Sequence, residues 1–341
     1  MAEGLTVAPA PHIGMAVSTR RIMLDVIIAL VPAVLAAGYF FRFHALIVIG
    51  TCCVTAIATE YICNLIRKRP HPGQSLGDLS AIVTAIILAF SVPANLPVWA
   101  AVIGTAVALV IGKVVFGGLG YNIFNPAMVG RAFLTASFGM MMTTWVTPAT
   151  IDSDMCVISA SSQSVDIRTM ATPLAQSKQA IKNGSGAEKV NNQLFVMFTG
   201  EVGGCLGETS VLALLIGGLY LLIKRTITIH IPLAVLLSVF VFASIGYFAN
   251  PAAYINPLVH INAGAVVLCA FFIATDPVTS PLTIKGQWVF GAGLGALIML
   301  IRMLGEYPGA VMYSVLLMNA LTPLIDRLCK VTPSGGKPYA E

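Results

Sequence analysis

Residues 79–112 read LSAIVTAIILAFSVPANLPVWAAVIGTAVALVIG, without a single Asp, Glu, Lys or Arg. Such a run is far longer than the roughly 18 apolar residues needed for a helix to cross a membrane. Pro93 and Pro97 divide it, because proline removes a helix donor and clashes with the turn before it. The stretch therefore reads as two apolar helices separated by a break. A second charge-free run extends from Thr226 to Thr275. The whole chain agrees: 57% of its 341 residues are hydrophobic, 10% are charged, and the mean hydropathy is +0.88. Soluble domains carry about 25% charged residues. The expected class is an all-α polytopic membrane protein.

Proline, glycine and charge punctuate the chain into about ten apolar segments, near 22–41, 45–66, 79–92, 97–116, 121–145, 209–223, 230–248, 261–274, 287–303 and 307–325. Segments 79–92 and 261–274 are too short to cross fully and stop at Pro93 and Pro277. Short or Pro-interrupted segments at corresponding places in two halves point to a transporter's central pathway. The halves do correspond. TAIILAFSVPANLP leads through a helix ending at Lys113 to GGLGYNIFNPAMVGRAFL, and GAVVLCAFFIATDPVTSP leads through a helix ending near Arg302 to LGEYPGAVMYSVLLMNAL. Five segments per half put the second half into the membrane from the opposite side. The expectation is ten transmembrane helices in two inverted repeats of five, at 1–145 and 209–341, with a polar loop at 146–208.

Lysine and arginine collect in cytoplasmic loops. Every second loop from the N-terminus holds Arg20, Arg21, Arg67, Lys68, Arg69, Lys113, Lys224, Arg225, Lys285, Arg327, Lys330 and Lys337, twelve of the nineteen basic residues. The opposite short loops hold Arg42 and, near a span end, Arg302. Both termini are expected in the cytoplasm and 146–208 outside it. The first 19 residues lack a basic region followed by an apolar core and cleavage site, so the first span is expected to direct its own insertion. Since membrane topology explains the basic residues, the net charge of +5 gives no argument for nucleic acid. Seven scattered Cys and five His lack the spacing of zinc, iron–sulfur or bis-His haem sites. With no G-x-G-x-x-G or Walker motif after a strand, any NAD chemistry is expected on a partner.

Several polar residues fall in or beside spans. Asn125-Pro126 after GGLGYN suggests a broken helix whose freed backbone groups line an ion or flavin site, or simply a capping loop. Asp276-Pro277 stands at the matching break and makes a second candidate for the ion pathway. Asp25 is four residues from Arg21, the spacing of a helical ion pair. Glu60 and Arg131 are candidates for an interior polar network. In the polar loop, Thr172 suits an N-cap, Pro173 the first helical position and Asn183-Gly184 a stop, predicting a surface helix over 173–182.

DIRTMATPL, from Asp166 to Leu174, resembles the covalent flavin attachment motif Asp-x-x-Ser/Thr-x-Ala-Thr. The match is Asp166, Thr169, Ala171 and Thr172, with Met170 where Gly is common. GGLGYNIFNPAM, AFFIATDPVTSP, IKRTITIHIP and EYPGAVMYSVLLMNALTPLIDR are similar to the RnfD family, the D-type membrane subunits of Rnf electron-transport complexes. That family is itself similar to NqrB, the B-type membrane subunit in the sodium-translocating NADH:quinone reductase. The resemblance runs from about residue 10 to residue 330. It implies FMN joined through a phosphoester to Thr172, with Asp166, Thr169 and Ala171 read by an extracytoplasmic FMN transferase, and a second, non-covalent flavin (riboflavin or FMN). It also implies partner subunits of the A, B, C, E and G types in a bacterial or archaeal cytoplasmic membrane. Electron flow between ferredoxin and NAD would be coupled there to sodium or proton movement. An NqrB-like role in the quinone reductase and a redox-silent inverted-repeat transporter are the alternatives.

Overall fold

A computed structural model describes residues 18–68, 73, 75–146, 148, 172–182, 194–200, 202–250, 254–305 and 310–330. Among them the regular structure is helical, apart from an isolated bridge between Pro93 and Cys205 and a bridge residue at Val146. Helix α1, Thr19–Ile66, opens on an N-cap Ser18 whose side chain accepts from the Arg21 amide. At ~1.5 Å per residue it would be about 72 Å long, more than twice a ~30 Å hydrocarbon core. It breaks at Arg42 (φ 51°, ψ −134°) into two helical arms. The two arms cover the segments expected at 22–41 and 45–66.

A short 3₁₀ turn, Ser75–Asp78, leads into α2, Ser80–Phe90. Helix α3, Val98–Leu109, continues through a π turn at Val110–Val114. Helices α4, Pro126–Ser137, and α5, Gly139–Thr143, close the first half. In the polar segment lie α6, Pro173–Lys182, and α7, Leu194–Thr199. The second half holds α8, Val211–Ile223, α9, His230–Ala249, and the short α10, Pro257–Asn262. Helix α11, Val266–Leu268, runs into a π turn at Cys269–Ile273, followed by α12, Ile284–Leu304, and α13, Ala310–Leu328.

Helices α1, α9, α12 and α13 are long and apolar enough to cross a membrane, while α2, α8 and the stretch Val98–Val114 are shorter apolar helices. Their side-chain arrangement suits lipid: α1 buries Ala29, Ala33 and Ala37 and turns Leu35, Tyr39 and Val54 outward. Small residues inside and large apolar residues outside are what close packing in a bilayer asks for. This is a multi-pass helical membrane protein.

Two expected spans differ in detail. Tyr121–Asn125 is not helical, so the fifth begins only at Pro126, and Phe138 (φ −129°, ψ 43°) divides it. The eighth starts early, at Pro257, and is interrupted at Ala263 and Gly264, where φ is 72°. Proline and asparagine at the starts decide both cases: Asn125 and Asn256 each accept from amides of the first turn, with Pro next in line.

Glycine lets the helices approach. A Cβ on Gly130 of α4 would lie 2.6 Å from Ala108 Cβ of α3. On α12, Cβ atoms on Gly291 and Gly295 would lie 2.6 Å from Ala234 Cβ and 2.7 Å from Ser238 Cβ of α9. The Gly-x-x-x-Gly spacing puts both on one face, and Ser238 Oγ donates across the seam to Ala292 O at 2.8 Å.

Candidate functional site

The first polar centre grows from α2. Asp78, just before the helix, accepts from the Ser80 amide at 2.8 Å and from Ser80 Oγ at 2.6 Å. Ser80 Oγ in turn accepts from Lys113 Nζ at 2.7 Å, and Lys113 also donates to Glu60 Oε1 at 2.8 Å. The pair is almost fully enclosed, and Glu60 Oε2 is buried without a hydrogen-bond partner. The extra residue in the π turn rotates Lys113 inward from the end of α3; such bulges often mark functional positions. Nearby, Arg67 Nη1 donates to the carbonyls of Val114 and Gly117, fixing the end of that turn.

Ser80 and Lys113 line a cleft of about 730 Å³ together with Thr84, Asn122, Asn125, Thr226, Phe271, Phe272 and Asp276. Both expected pathway residues therefore face one space. Both are also caps: Asn125 Oδ1 accepts from the Ala127 amide at 3.1 Å, and Asp276 accepts from the Val278 amide at 3.3 Å and Thr279 Oγ1 at 3.1 Å. Asn122 Oδ1 is buried there with no partner.

The second centre is built around α6. Thr172 is buried, its Oγ1 accepts from the Ala175 amide at 3.2 Å, and its carbonyl accepts from Gln176 at 2.8 Å. It is the N-cap expected from the sequence, and the helix covers 173–182 as expected. Asp166, Thr169 and Ala171 lie outside the described residues. Thr172 stands in the wall of a cleft of about 610 Å³ with Arg131, Trp145, Glu208, Gly264 and Arg302. Arg131 Nη1 lies 3.6 Å from Glu208 Oε1, and its Nη2 donates to Cys205 Sγ at 3.5 Å. Arg302 donates from Nη1 to His260 O at 2.6 Å and from Nη2 to Ala263 O at 2.8 Å.

Two helices join the clefts. Helix α4 begins at the Lys113 cleft with Pro126 and reaches the Thr172 cleft at Arg131. Helix α2 starts at the first cleft with Ser80 and ends near the second, where residues 205–207 clasp it. The Leu206 and Gly207 amides donate to Val92 O and Phe90 O, and Cys205 Sγ donates to Ser91 O. The stretch 265–276 runs the other way, with Ala265 at the Thr172 cleft and Asp276 at the Lys113 cleft.

Several sequence expectations need correction. Lys113 and Arg302 are not loop charges; they are 3% and 4% exposed and belong to the interior. Asp25 does not pair with Arg21 among the described contacts and instead accepts from Tyr220 Oη and Thr226 Oγ1. Glu60 and Arg131 do enter interior networks, with Lys113 and Glu208 as partners the sequence did not reveal. One signal was there for Lys113: it is the lone charge between Asp78 and Arg131. Arg302, Glu208, Ser80 and Asn122 carried no such mark.

Residues 6–335 match the model of the NQR2, RnfD, RnfE family. The chain is 43% identical over 329 residues to the D subunit of the Na(+)-translocating ferredoxin:NAD(+) oxidoreductase complex of Acetobacterium woodii, covering 96% of this chain and 94% of that one. It is 38% identical over 334 residues to the D subunit of the proton-translocating ferredoxin:NAD(+) oxidoreductase complex of Clostridium ljungdahlii, covering 97% and 96%. The D subunit of the ion-translocating oxidoreductase complex of Actinobacillus succinogenes is 39% identical over 345 residues, covering 96% of each.

Proposed function

This chain belongs to the NQR2, RnfD, RnfE family, and from that premise we propose that it is the D-type membrane subunit of an Rnf ion-translocating ferredoxin:NAD oxidoreductase. In this reading it carries FMN on Thr172 and couples electron flow to sodium or proton movement, while NAD chemistry stays on partner subunits. The relatives' names include both ions at similar identity, so the ion is stated as a class. Ten spans in two inverted repeats, flanking an extracytoplasmic 146–208, remain the proposed architecture. The opposed courses of α2 and 265–276 between the same two clefts support the inversion.

The observation that carries the cofactor reading is the position of Thr172. It is a buried N-cap, within a motif that resembles flavin attachment sites, on the wall of a cleft with two buried arginines. The donor set fits a phosphoryl group: the first-turn amides of α6 and the positive end of its dipole face the Thr172 oxygen. A flavin held there supplies one- and two-electron transfer. The chain's own residues do the rest. Thr172 would anchor the group, the first-turn amides of α6 would face its phosphoryl oxygens, and Met197, Val202 and Val311 give the cleft an apolar wall. The Lys113 cleft, with Asn125 and Asp276, is the proposed ion site. Its Phe271 and Phe272 wall and the unpartnered Asn122 oxygen also suit the ring of a second, non-covalent flavin.

In-gel flavin fluorescence of the denatured chain, made with the FMN transferase, tests the attachment. The band should be bright and should vanish in Thr172→Val while persisting, weaker, in Thr169→Val. A dark unsubstituted chain would return the reading to a redox-silent transporter.

A further inference from the structure

We propose that Arg302 is the counter-charge for the phosphodiester at Thr172, a positioning residue that holds the flavin's phosphoryl group in the cleft. This rests on the attachment reading above and adds to it a residue that no motif marks. Arg302 is 4% exposed, in the last turn of α12. Its only described partners are two neutral carbonyls, those of His260 and Ala263, and its Nε is buried with no hydrogen-bond acceptor. Among the described residues no carboxylate lies within ion-pair distance of it. Arg131, on the same wall, already takes Glu208. Among the described residues, two guanidinium groups thus share the cleft wall with one carboxylate, Glu208, whose ion pair is with Arg131.

A buried cation without an anion is costly at membrane depth and inside a protein. A phosphodiester carries one negative charge and two non-bridging oxygens, which suit a guanidinium with donors to spare. The geometry brings the two together. A Cβ on Gly264 would lie 3.0 Å from Arg302 Nη2 and 3.7 Å from Leu174 Cδ1, so the guanidinium and the first turn of α6 flank the same glycine. Further along α6, Lys178 Nζ donates to Gly305 O, three residues beyond Arg302, which docks this helix on the end of α12. Gly264, at φ 72°, is the residue type that lets the chain turn here without displacing the arginine.

The test is a cycle of four assembled complexes made with the transferase: unsubstituted, Arg302→Gln, Thr172→Val and the double variant. In-gel fluorescence should stay bright in Arg302→Gln, since the ester forms at Thr172. Thermal unfolding reads the coupling. Arg302→Gln should lower Tm by several degrees in the flavin-carrying complex, and by less than half as much in the Thr172→Val background. Arg302→Lys should recover most of the loss. Equal Tm losses with and without flavin would reduce Arg302 to a cap for two carbonyls and overturn the proposal. So would failure of Arg302→Gln to assemble in both backgrounds. A changed flavin midpoint potential with additive Tm effects would place the charge under the ring instead, and would also overturn it. A dark unsubstituted chain sinks the attachment reading itself, whereas a bright chain with additive effects sinks only the role of Arg302.

Discussion

Lys113 holds Glu60 at 2.8 Å inside a helical membrane protein, with both side chains almost fully enclosed. Removing one partner of a buried pair leaves the other charged and unpaired, at a cost of about 3–5 kcal/mol. Lys113→Met is therefore expected to destabilise the detergent-solubilised protein strongly. Adding Glu60→Met should restore most of the loss, because an apolar pair of similar volume carries no desolvation penalty. Thermal unfolding of the single and double variants checks this, and two additive losses would contradict it. The sequence marked Glu60 and Arg131 as interior polar residues because a charge in an apolar run stands out. Their partners lie 53 and 77 residues further along, so no local spacing could name them. Thr172 was legible for the opposite reason: an N-cap is set by its immediate neighbours, and Thr-Pro followed by a helical pattern contains the whole cause.

Helices α9 and α12 meet across Gly291 and Gly295, where an added Cβ would fall within 2.6–2.7 Å of side-chain atoms on the opposing helix. Gly295→Val should push the two apart and cost about 1–3 kcal/mol, as overpacking does elsewhere. The same change at Gly50, where nothing lies within 4 Å, should cost far less. A differential Tm measurement of the two variants decides it. At this scale the sequence located each apolar segment but not how far it stays helical. The expected 121–145 span failed to start at Tyr121 because Asn125 caps and Pro126 begins the helix. The π turns at Val110–Val114 and Cys269–Ile273 were invisible. They add one residue to a turn without any residue type that demands it. The Asn125 and Asp276 caps belong here too. If the cleft they line is the ion pathway, Asn125→Leu and Asp276→Leu should each impair ion-coupled electron transfer in assembled complexes. Normal coupling in both would leave Asn125 as a helix cap and Asp276 as a turn cap alone.

For the whole molecule, the proposed orientation survives the loss of two of its markers. With Lys113 in the interior, eleven of the twelve basic residues counted for the proposed cytoplasmic side still count toward it. With Arg302 buried as well, the opposite short loops keep Arg42. Reporter fusions after Arg225 and within 176–200 should therefore report opposite sides, the second outside; a cytoplasmic signal from 176–200 would reverse the assignment. Helix α4 then has a consequence of its own. It passes from the Lys113 cleft at Asn125 to the Thr172 cleft at Arg131, six residues or about 9 Å at ~1.5 Å per residue. A bilayer's hydrocarbon core is ~30 Å thick. If the two clefts open to opposite faces of the membrane and water reaches the space beside their occupants, most of the membrane voltage would drop across two turns of one helix. An elementary charge crossing that short gap samples nearly the full ~2.3 kcal/mol available per 100 mV. The local electric field would then be about three times that in the surrounding lipid, so a small displacement of charge between the clefts would do as much electrical work as a full crossing elsewhere.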